Sequence, residues 1–462
     1  MKKISLTTGA SILGLSIALL IFYVYDLSSV NFTRIQVLKR WAIRPRARSR
    51  PTVITCNRSD LWYDLCSING PNLLEPTSST LFLVDPTRYF GPPVSVRTRP
   101  YTRKSDLGAM KHVKELTLTS AQHHMNCAVM HTSPAVVFSA GGYTGNFFHD
   151  FNDGLLPLFI TVNSFFGNHD FHLVVTDCSL WWPQKYKEVI SRISSLPMID
   201  MDRDNRTHCF PSTIVGLIKH GPMTVEPARL ARPITLRDFG SFLKDAYLGQ
   251  GEDKAMQQSN HSQDTGSVRP RLVLLSRTRQ VGRAVLNQKE LMALAEQIGF
   301  NVTLFKPSHK TSLADAFRLI HASHAMLGVH GAGLMHSIFL RPGSVLVQVV
   351  PIATEWVSEM FFGNPARTLG LEYIEYRIQP SESSLADQFS IDDVVLNNPR
   401  AATKGDWSNM KLYLKTQNVK LDMVRFRACL EEAYVKAKRF MEENEGNENM
   451  DKLVSSSRKL IK

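Results

Sequence analysis

Residues 324–336 read HAMLGVHGAGLMH: an apolar run, then histidine, glycine, alanine and glycine, then apolar residues again. A buried strand that enters a glycine turn and continues as a helix is the handover used in parallel α/β sheets, and the turn falls at the carboxyl end of the strand. Working outward, RLVLLS (271–276), NVTLF (301–305) and SVLVQVV (344–350) are further apolar runs, with helical spacing at 287–298, 312–322 and 332–339. That order predicts a β-α-β-α-β-α-β unit and hence an α/β fold. The half before it is noisier. FHLVVTD (171–177) reads as a strand and YKEVISRI (186–193) as a helix, and a polar, glycine-bearing stretch at 249–270 reads as a loop joining two domains.

Composition is that of a globular protein: 462 residues, 43% hydrophobic and 21% charged, with a formal net charge of +13. The excess charge does not point to nucleic acid. Arg34, Lys39, Arg40, Arg44, Arg46, Arg48, Arg50 and Arg58 crowd into one proline-punctuated segment, and neither zinc spacing nor an aromatic RNA-binding signature occurs. Ahead of that segment no charge interrupts Ile4 to Tyr25, a stretch matching the ~20 residues of a membrane-spanning helix and longer than a signal-peptide core. Acceptor triplets for N-glycosylation begin at Asn31, Asn57, Asn205, Asn260 and Asn301, and the six cysteines form an even set suited to an oxidising compartment. Cys56 and Cys66 flank a short segment and are expected to pair. The resulting layout is a cytosolic tail (1–3), a signal anchor (4–25) and a lumenal stem (26–55), then domains at 56–248 and 271–418. A helix (419–444) and a disordered tail (445–462) follow.

Three clusters carry chemistry. In the 324–336 turn, Gly331 and Gly333 flank Ala332 and free backbone N–H groups for an anion at the start of a helix. As a dinucleotide fingerprint the turn is poor, because His336 takes the third glycine position and the motif ends a unit instead of opening one. Ser276, Arg277, Arg279 and Arg283 follow the strand 271–276 on the same rim, and guanidinium forks fit phosphate oxygens. The third cluster is GGYTGNFFHDFNDGLLPLFITV (141–162). On a helical wheel Phe147, Phe148, Phe151, Leu155, Leu158, Phe159 and Val162 share an arc of about 120°. Asn146, His149, Asp150 and Asp153 fall opposite, and a carboxylate four residues from an imidazole suits general-base work.

The motifs GNFFHDFNDGLLPLF (145–159), LLSRTRQVGR (274–283) and HGAGLMHSIFLRPGSVLVQVVP (330–351) resemble glycosyltransferase family 61, the group of plant xylan arabinosyl- and xylosyltransferases. The first and third are also similar to protein O-mannose N-acetylglucosaminyltransferase. The likeness covers roughly 56–440. It implies a GT-B architecture of two Rossmann-like domains facing a cleft, inversion at the transferred sugar, and residence in the Golgi as a single-pass type II membrane protein. It also implies a UDP-pentose donor (arabinofuranose or xylose), a xylan acceptor, and a complex with other glycan synthases. Carried onto this chain, Ser276, Arg277 and the His330, Gly331, Ala332, Gly333 turn would hold the UDP diphosphate. His149 or Asp150 would be the base and Asp153 its orienter. No cofactor is required beyond the UDP-sugar co-substrate; the motif DMDRD (200–204) reads as an exposed turn, no metal ligands are assigned, and dependence on a divalent ion is open. The alternatives are a β-1,2-xylosyltransferase acting on N-glycans and a catalytically silent lumenal scaffold.

Overall fold

Each half of the chain builds its own sheet in the computed structural model, which describes residues 53–84, 94–120, 126–167, 169–248 and 269–459, without the side chains of 408 and 445–459. The expected anchor at 4–25, Asn31, Asn260 and most of the 249–270 loop lie outside the described residues. Among those described, no helix is long and apolar enough to cross a membrane.

The first sheet has ten strands: β1 (Val53–Asn57), β2 (Leu65–Glu75), β3 (Thr80–Leu83), β4 (Ser95–Thr98), β5 (Leu116–Thr119), β6 (Val129–Met130), β7 (Ala135–Ser139), β8 (His172–Thr176), β9 (Ile199–Asp200) and β10 (His208–Val215). Strands β10, β7, β8 and β9 run parallel in that order. The expected Rossmann-like half is therefore only part of this sheet, because β1 and β10 both lie antiparallel to β2, as does β3, and β4 lies antiparallel to β5. Burial explains the mixture. Strand β8 is buried at every residue, as a strand covered on both faces must be, whereas β2 alternates buried with partly exposed positions along much of its length. The Cys56–Cys66 pair forms as expected and staples β1 to β2; Cys127–Cys209 forms a second disulfide, and Cys178 and Cys429 stay free.

The second sheet is wholly parallel: β11 (Arg271–Leu275), β12 (Asn301–Phe305), β13 (Ala325–Val329), β14 (Val345–Val350) and β15 (Glu372–Arg377), in the spatial order β12-β11-β13-β14-β15. Four of these strands are the apolar runs read from the sequence; β15 was not among them. Its burial is broken by glutamate, tyrosine and arginine at exposed or half-buried positions, as an edge strand allows. Helices Gln288–Ile298 and Leu313–His321 fall where expected, but Ala332–Phe339 winds as a 3-10 helix, not an α-helix. The C-terminal helix begins at Met423 and runs to Lys459, so 445–459 continues it instead of forming a disordered tail. Glu, Lys, Arg and Met, which lose little rotamer freedom in a helix, supply much of its sequence.

Side-chain alternation fixes the layers. Val136 and Phe138 of β7 and Val273 and Leu275 of β11 belong to one hydrophobic core, while their neighbours Ala135 and Val137 face a second core and Leu272 and Leu274 a third. The shared core also takes in Phe148, Phe151, Leu155 and Phe159 of the 147–165 helix and Phe239 and Leu243 of the helix Leu236–Leu248. The described residues accordingly belong to one compact unit. Phe151 stands at its centre, with no exposure and edge-to-face contacts to Tyr186, Phe239 and Phe339 at 6.1–6.4 Å. Phe151→Ala is expected to cost about 3–5 kcal/mol, read as a lower urea midpoint by tryptophan fluorescence; a midpoint unchanged from the parent would show that the two sheets do not share this core.

Candidate active site

In a parallel sheet of order 2-1-3-4-5 the crevice opens where neighbouring strands send their connections to opposite faces, between the first and third strands. Here those strands are β11 and β13, and the residues immediately after them are Ser276 to Arg283 and His330 to Gly333. The guanidiniums of Arg277 and Arg283 converge on Gly331: a Cβ on that glycine would lie 2.5 Å from Arg277 Nη1 and 3.0 Å from Arg283 Nη1. Gly331, at φ +152°, is thus the residue that lets two cations close over the backbone.

No carboxylate pairs with either guanidinium among the described residues; the one hydrogen bond is from Arg283 Nη1 to the His330 carbonyl at 3.3 Å. The Nε atoms of both arginines are buried without a partner. Burial lowers Arg277 below the ordinary arginine range, and burial together with the Arg277 charge lowers Arg283 to about 10. Two half-buried like charges without a counterion among the described residues are unfavourable together, and an anion placed between them would relieve the repulsion.

His330 completes that wall. It is 4% exposed, and burial with the two arginine charges lowers its pKa to about 3, so its ring is neutral. Tyr373 donates to Gln348 Oε1 at 2.9 Å, which orients Gln348 Nε2 to donate to His330 Nδ1 at 3.0 Å. The proton of His330 therefore sits on Nε2, as a donor. The other expected donor residues are placed differently. Ser276 gives its hydroxyl to Gln288 Oε1 at 2.7 Å, and Arg279 is exposed in a single 3-10 turn. Ala332 and Gly333 open the 3-10 helix, where the Gly333 carbonyl accepts from His336 Nδ1 at 2.7 Å. His336 is a packing residue: buried, stacked on Phe147 at 4.1 Å and edge-on to Phe305.

The 147–165 helix follows β7 and brings the second cluster to the same rim. Asn146 caps it, accepting from Phe148 N at 3.1 Å, and one π-helical stretch, Asp150–Leu155, interrupts it. Of the four polar residues opposite the apolar arc, Asp150 and Asp153 are buried, with Asn152 beside them, while His149 is half-buried and Asn146 exposed. The wheel separated the two faces, but the polar one covers a charge network contributed by other segments, and the extra residue of the π turn shifts its phase.

Asp153 is the hub. Its Oδ2 accepts from Arg103 Nε at 2.6 Å and from His149 Nδ1 at 2.7 Å, and its Oδ1 from Asn152 Nδ2 at 2.6 Å and from the buried Lys219. Burial alone would raise this carboxyl, but the Lys219 ammonium, His149 and Arg103 outweigh it and hold Asp153 well below the usual carboxylate range. Burial lowers Lys219, and Asp153 opposes that shift. Two groups meet His149 Nδ1: Asp153 Oδ2, which only accepts, at 2.7 Å, and Arg103 Nη2, which only donates, at 3.3 Å; the shorter contact places the proton on Nδ1 and leaves Nε2 as a base. His149 keeps 21% of its side chain exposed and has Tyr143 tilted against it at 4.9 Å. Asp150 is otherwise engaged: it takes the Gly145 N–H at 2.8 Å and the Tyr186 hydroxyl at 2.6 Å, and burial raises its pKa.

Rings join the two clusters. His149 packs edge-on to Phe148 (5.4 Å), Phe148 on Phe362 (5.8 Å), and Phe362 on His330 (5.4 Å). Arg103, Lys219 and Gln348 were not read from the sequence. Arg103 and Lys219 lie 50 and 66 positions from Asp153, with no periodicity to connect them. The aspartates of 200–204 are engaged by Arg203, Lys114 and Arg206 in ion pairs, and among the described residues no group of three or more His, Cys, Asp or Glu is placed to hold a metal ion. A cavity of about 580 Å³, lined by His131, His172 and His208, lies instead at the amino ends of β8 and β10.

The family model described as Glycosyltransferase 61 matches residues 147–347, from this helix to β14. The xylan glycosyltransferase MUCI21 of Arabidopsis thaliana is 37% identical over 406 residues, covering 85% of this chain and 81% of that protein. The alpha-1,3-arabinosyltransferase XAT3 of Oryza sativa subsp. japonica is 35% identical, with 82% of this chain and 64% of that protein covered. The rice beta-1,2-xylosyltransferase XYXT1 is 31% identical over 82% of this chain and 83% of its own length. Among solved structures, the iron-containing dodecameric glycosyltransferase TibC of enterotoxigenic E. coli H10407 aligns over 73% of this chain and 85% of its own at 12% identity, with a TM-score of 0.27. The chain belongs to glycosyltransferase family 61 and is a glycosyltransferase.

Because the folded state depresses the Asp153 pKa, this carboxylate stabilises the fold above its unfolded value of about 3.9 and loses that contribution as pH falls toward the folded value. Asp153→Asn is expected to destabilise the protein by about 3–5 kcal/mol at pH 7 and to lose less melting temperature between pH 5 and pH 3 than the parent; parallel acid profiles would contradict the ionised hub.

Proposed function

We propose that this glycosyltransferase transfers a pentose, arabinofuranose or xylose, from a UDP-sugar onto xylan with inversion at the anomeric carbon. Its relatives of 31–37% identity carry xylan, arabinosyl and xylosyl activities in their names, which supports the substrate class. The observation that carries the reading is the pair of unpaired guanidiniums over Gly331, one aromatic seam away from an imidazole whose Nε2 is free to accept a proton.

In this reading the two sheets are the halves of a GT-B architecture, with acceptor side 56–248 and donor side 271–418. The acceptor hydroxyl attacks the anomeric carbon as His149 Nε2 takes its proton. The bond to the diphosphate oxygen breaks on the opposite face, and Arg277, Arg283 and the His330 Nε2–H receive the negative charge that develops there. Preorganised donors of this kind commonly supply the largest share of catalysis. Asp153 keeps the imidazole in the tautomer that can accept and stabilises the imidazolium that results. We place the protein in the Golgi, held by residues 4–25 as a type II anchor. Exposed acceptor asparagines at 57, 205 and 301 and two disulfides support a lumenal body.

Incubating the full-length chain with UDP-arabinofuranose, UDP-xylose and other UDP-sugars plus xylo-oligosaccharides, and reading products by mass and linkage, is expected to show pentosyl transfer; a hexosyl product or none would refute the substrate. His149→Ala is expected to lower kcat at least ~100-fold with UDP affinity unchanged, and Arg277→Ala to weaken UDP binding measured by calorimetry. Full turnover in the first or parental affinity in the second would remove that residue from the role given to it.

A further inference from the structure

Two indoles on the donor rim are unexplained by the chemistry above. Trp356 and Trp407 are 52% and 53% exposed, and their rings meet edge to face at 5.5 Å. Neither indole N–H has a hydrogen-bond partner among the described residues. Most proteins bury so large an apolar side chain, and two together over half in solvent call for a ligand.

Their position is continuous with the active site. Trp356 lies in the helix Glu355–Ser358, reached from the carboxyl end of β14, the strand beside β13 and so about 4.8 Å along the rim from the Gly331 turn. The helix runs on through Glu359–Gly363, whose Phe361 and Phe362 turn inward onto Phe148. Trp356 precedes by six positions the Phe362 that touches His330, on a helix that turns π-helical over Glu359–Gly363. The segment after Trp407 is anchored at its far end. The segment following Trp407 ends at the buried Gln417, whose side chain accepts from Ile352 N at 3.0 Å and donates to Ile352 O at 3.2 Å. The Gln417 carbonyl accepts from Arg283 N at 2.5 Å, and a Cβ on Gly282 would strike the Lys415 carbonyl at 2.2 Å. The stretch that carries Trp407 is therefore bound both to the loop before Trp356 and to the arginine turn.

We propose that Trp356 and Trp407 form a stacking platform for sugar rings of the acceptor chain beyond the one that reacts. The proposal rests on the reading of the protein as a transferase acting on a polysaccharide. A neutral chain of pyranose rings presents C–H faces that pack on an indole and hydroxyls that accept from its N–H. The nucleotide is the poorer occupant, since a base needs a closed slot with edge hydrogen bonds and these indoles stand open. A polymer needs contacts that extend past the cleft, and in this proposal the acceptor chain, held at its reacting end by the 56–248 side, crosses to the indoles on the half that takes the donor.

The test uses the full-length chain and the variants W356A, W407A, W356A/W407A and W356F/W407F, assayed with xylotriose and with long unsubstituted xylan. The double alanine variant is expected to raise KM for the long acceptor at least fivefold, leave KM for xylotriose and the UDP affinity unchanged, and keep its melting temperature, because both side chains are exposed. The phenylalanine variant is expected to recover most of the loss. An unchanged KM for long xylan overturns the platform, and a parallel loss of UDP affinity overturns it in favour of a base-binding role. If the parent binds UDP yet transfers nothing to xylan, the acceptor reading fails separately. Affinity electrophoresis in xylan gels then decides the platform: retardation of the parent that the double alanine variant loses supports it, and no retardation of the parent ends it.

Discussion

Two half-buried guanidinium groups drawn together over one glycine, with no carboxylate between them among the described residues, are the constraint on which the site depends. Desolvated like charges repel, and the protein accepts that repulsion between Arg277 and Arg283 at the point where the parallel sheet opens. Gly331 exists in this place because any side chain would occupy the space into which both cations reach. In the proposed reading a bound diphosphate would turn the unfavourable pair into charge-assisted hydrogen bonds, with an affinity sensitive to either arginine.

The opposite wall uses charge in the reverse sense. Asp153 is surrounded by Arg103, Lys219, Asn152 and His149, so a fully buried carboxylate stays ionised and dictates which imidazole nitrogen carries the proton. The apolar contacts among Phe148, Phe362 and His330 keep the two walls in register. They belong to the core shared by both sheets, and displacement of one wall relative to the other must disturb close-packed rings.

Much of this was legible in the residues. Strands buried on both faces leave continuous apolar runs, which is why β11, β13 and β14 could be read with their boundaries almost correct, and the turn at their carboxyl ends followed from the topology; β12, an edge strand buried only at Phe305, showed itself through its β-branched and apolar residues. The first sheet was not. Its two-residue strands β6 and β9 are too short to carry a period, and the antiparallel pairing of β10 with β2 joins residues far apart in the chain. The helix 147–165 shows the limit most clearly. A wheel identifies the apolar side but cannot reveal that Arg103 and Lys219 arrive from other segments to bury the polar one, nor that the π turn re-aims Asp150 toward Tyr186. Ser276 and Arg279 likewise fit the motif in one dimension, while the fold gives one to Gln288 and the other to solvent.

The most direct measurement is a crystal structure of the protein with UDP bound. The diphosphate is predicted over Gly331, each guanidinium of Arg277 and Arg283 within hydrogen-bond distance of its oxygens, with His149 Nε2 facing it across the crevice. UDP seated elsewhere, with both arginines still unpaired, would contradict the account at its base.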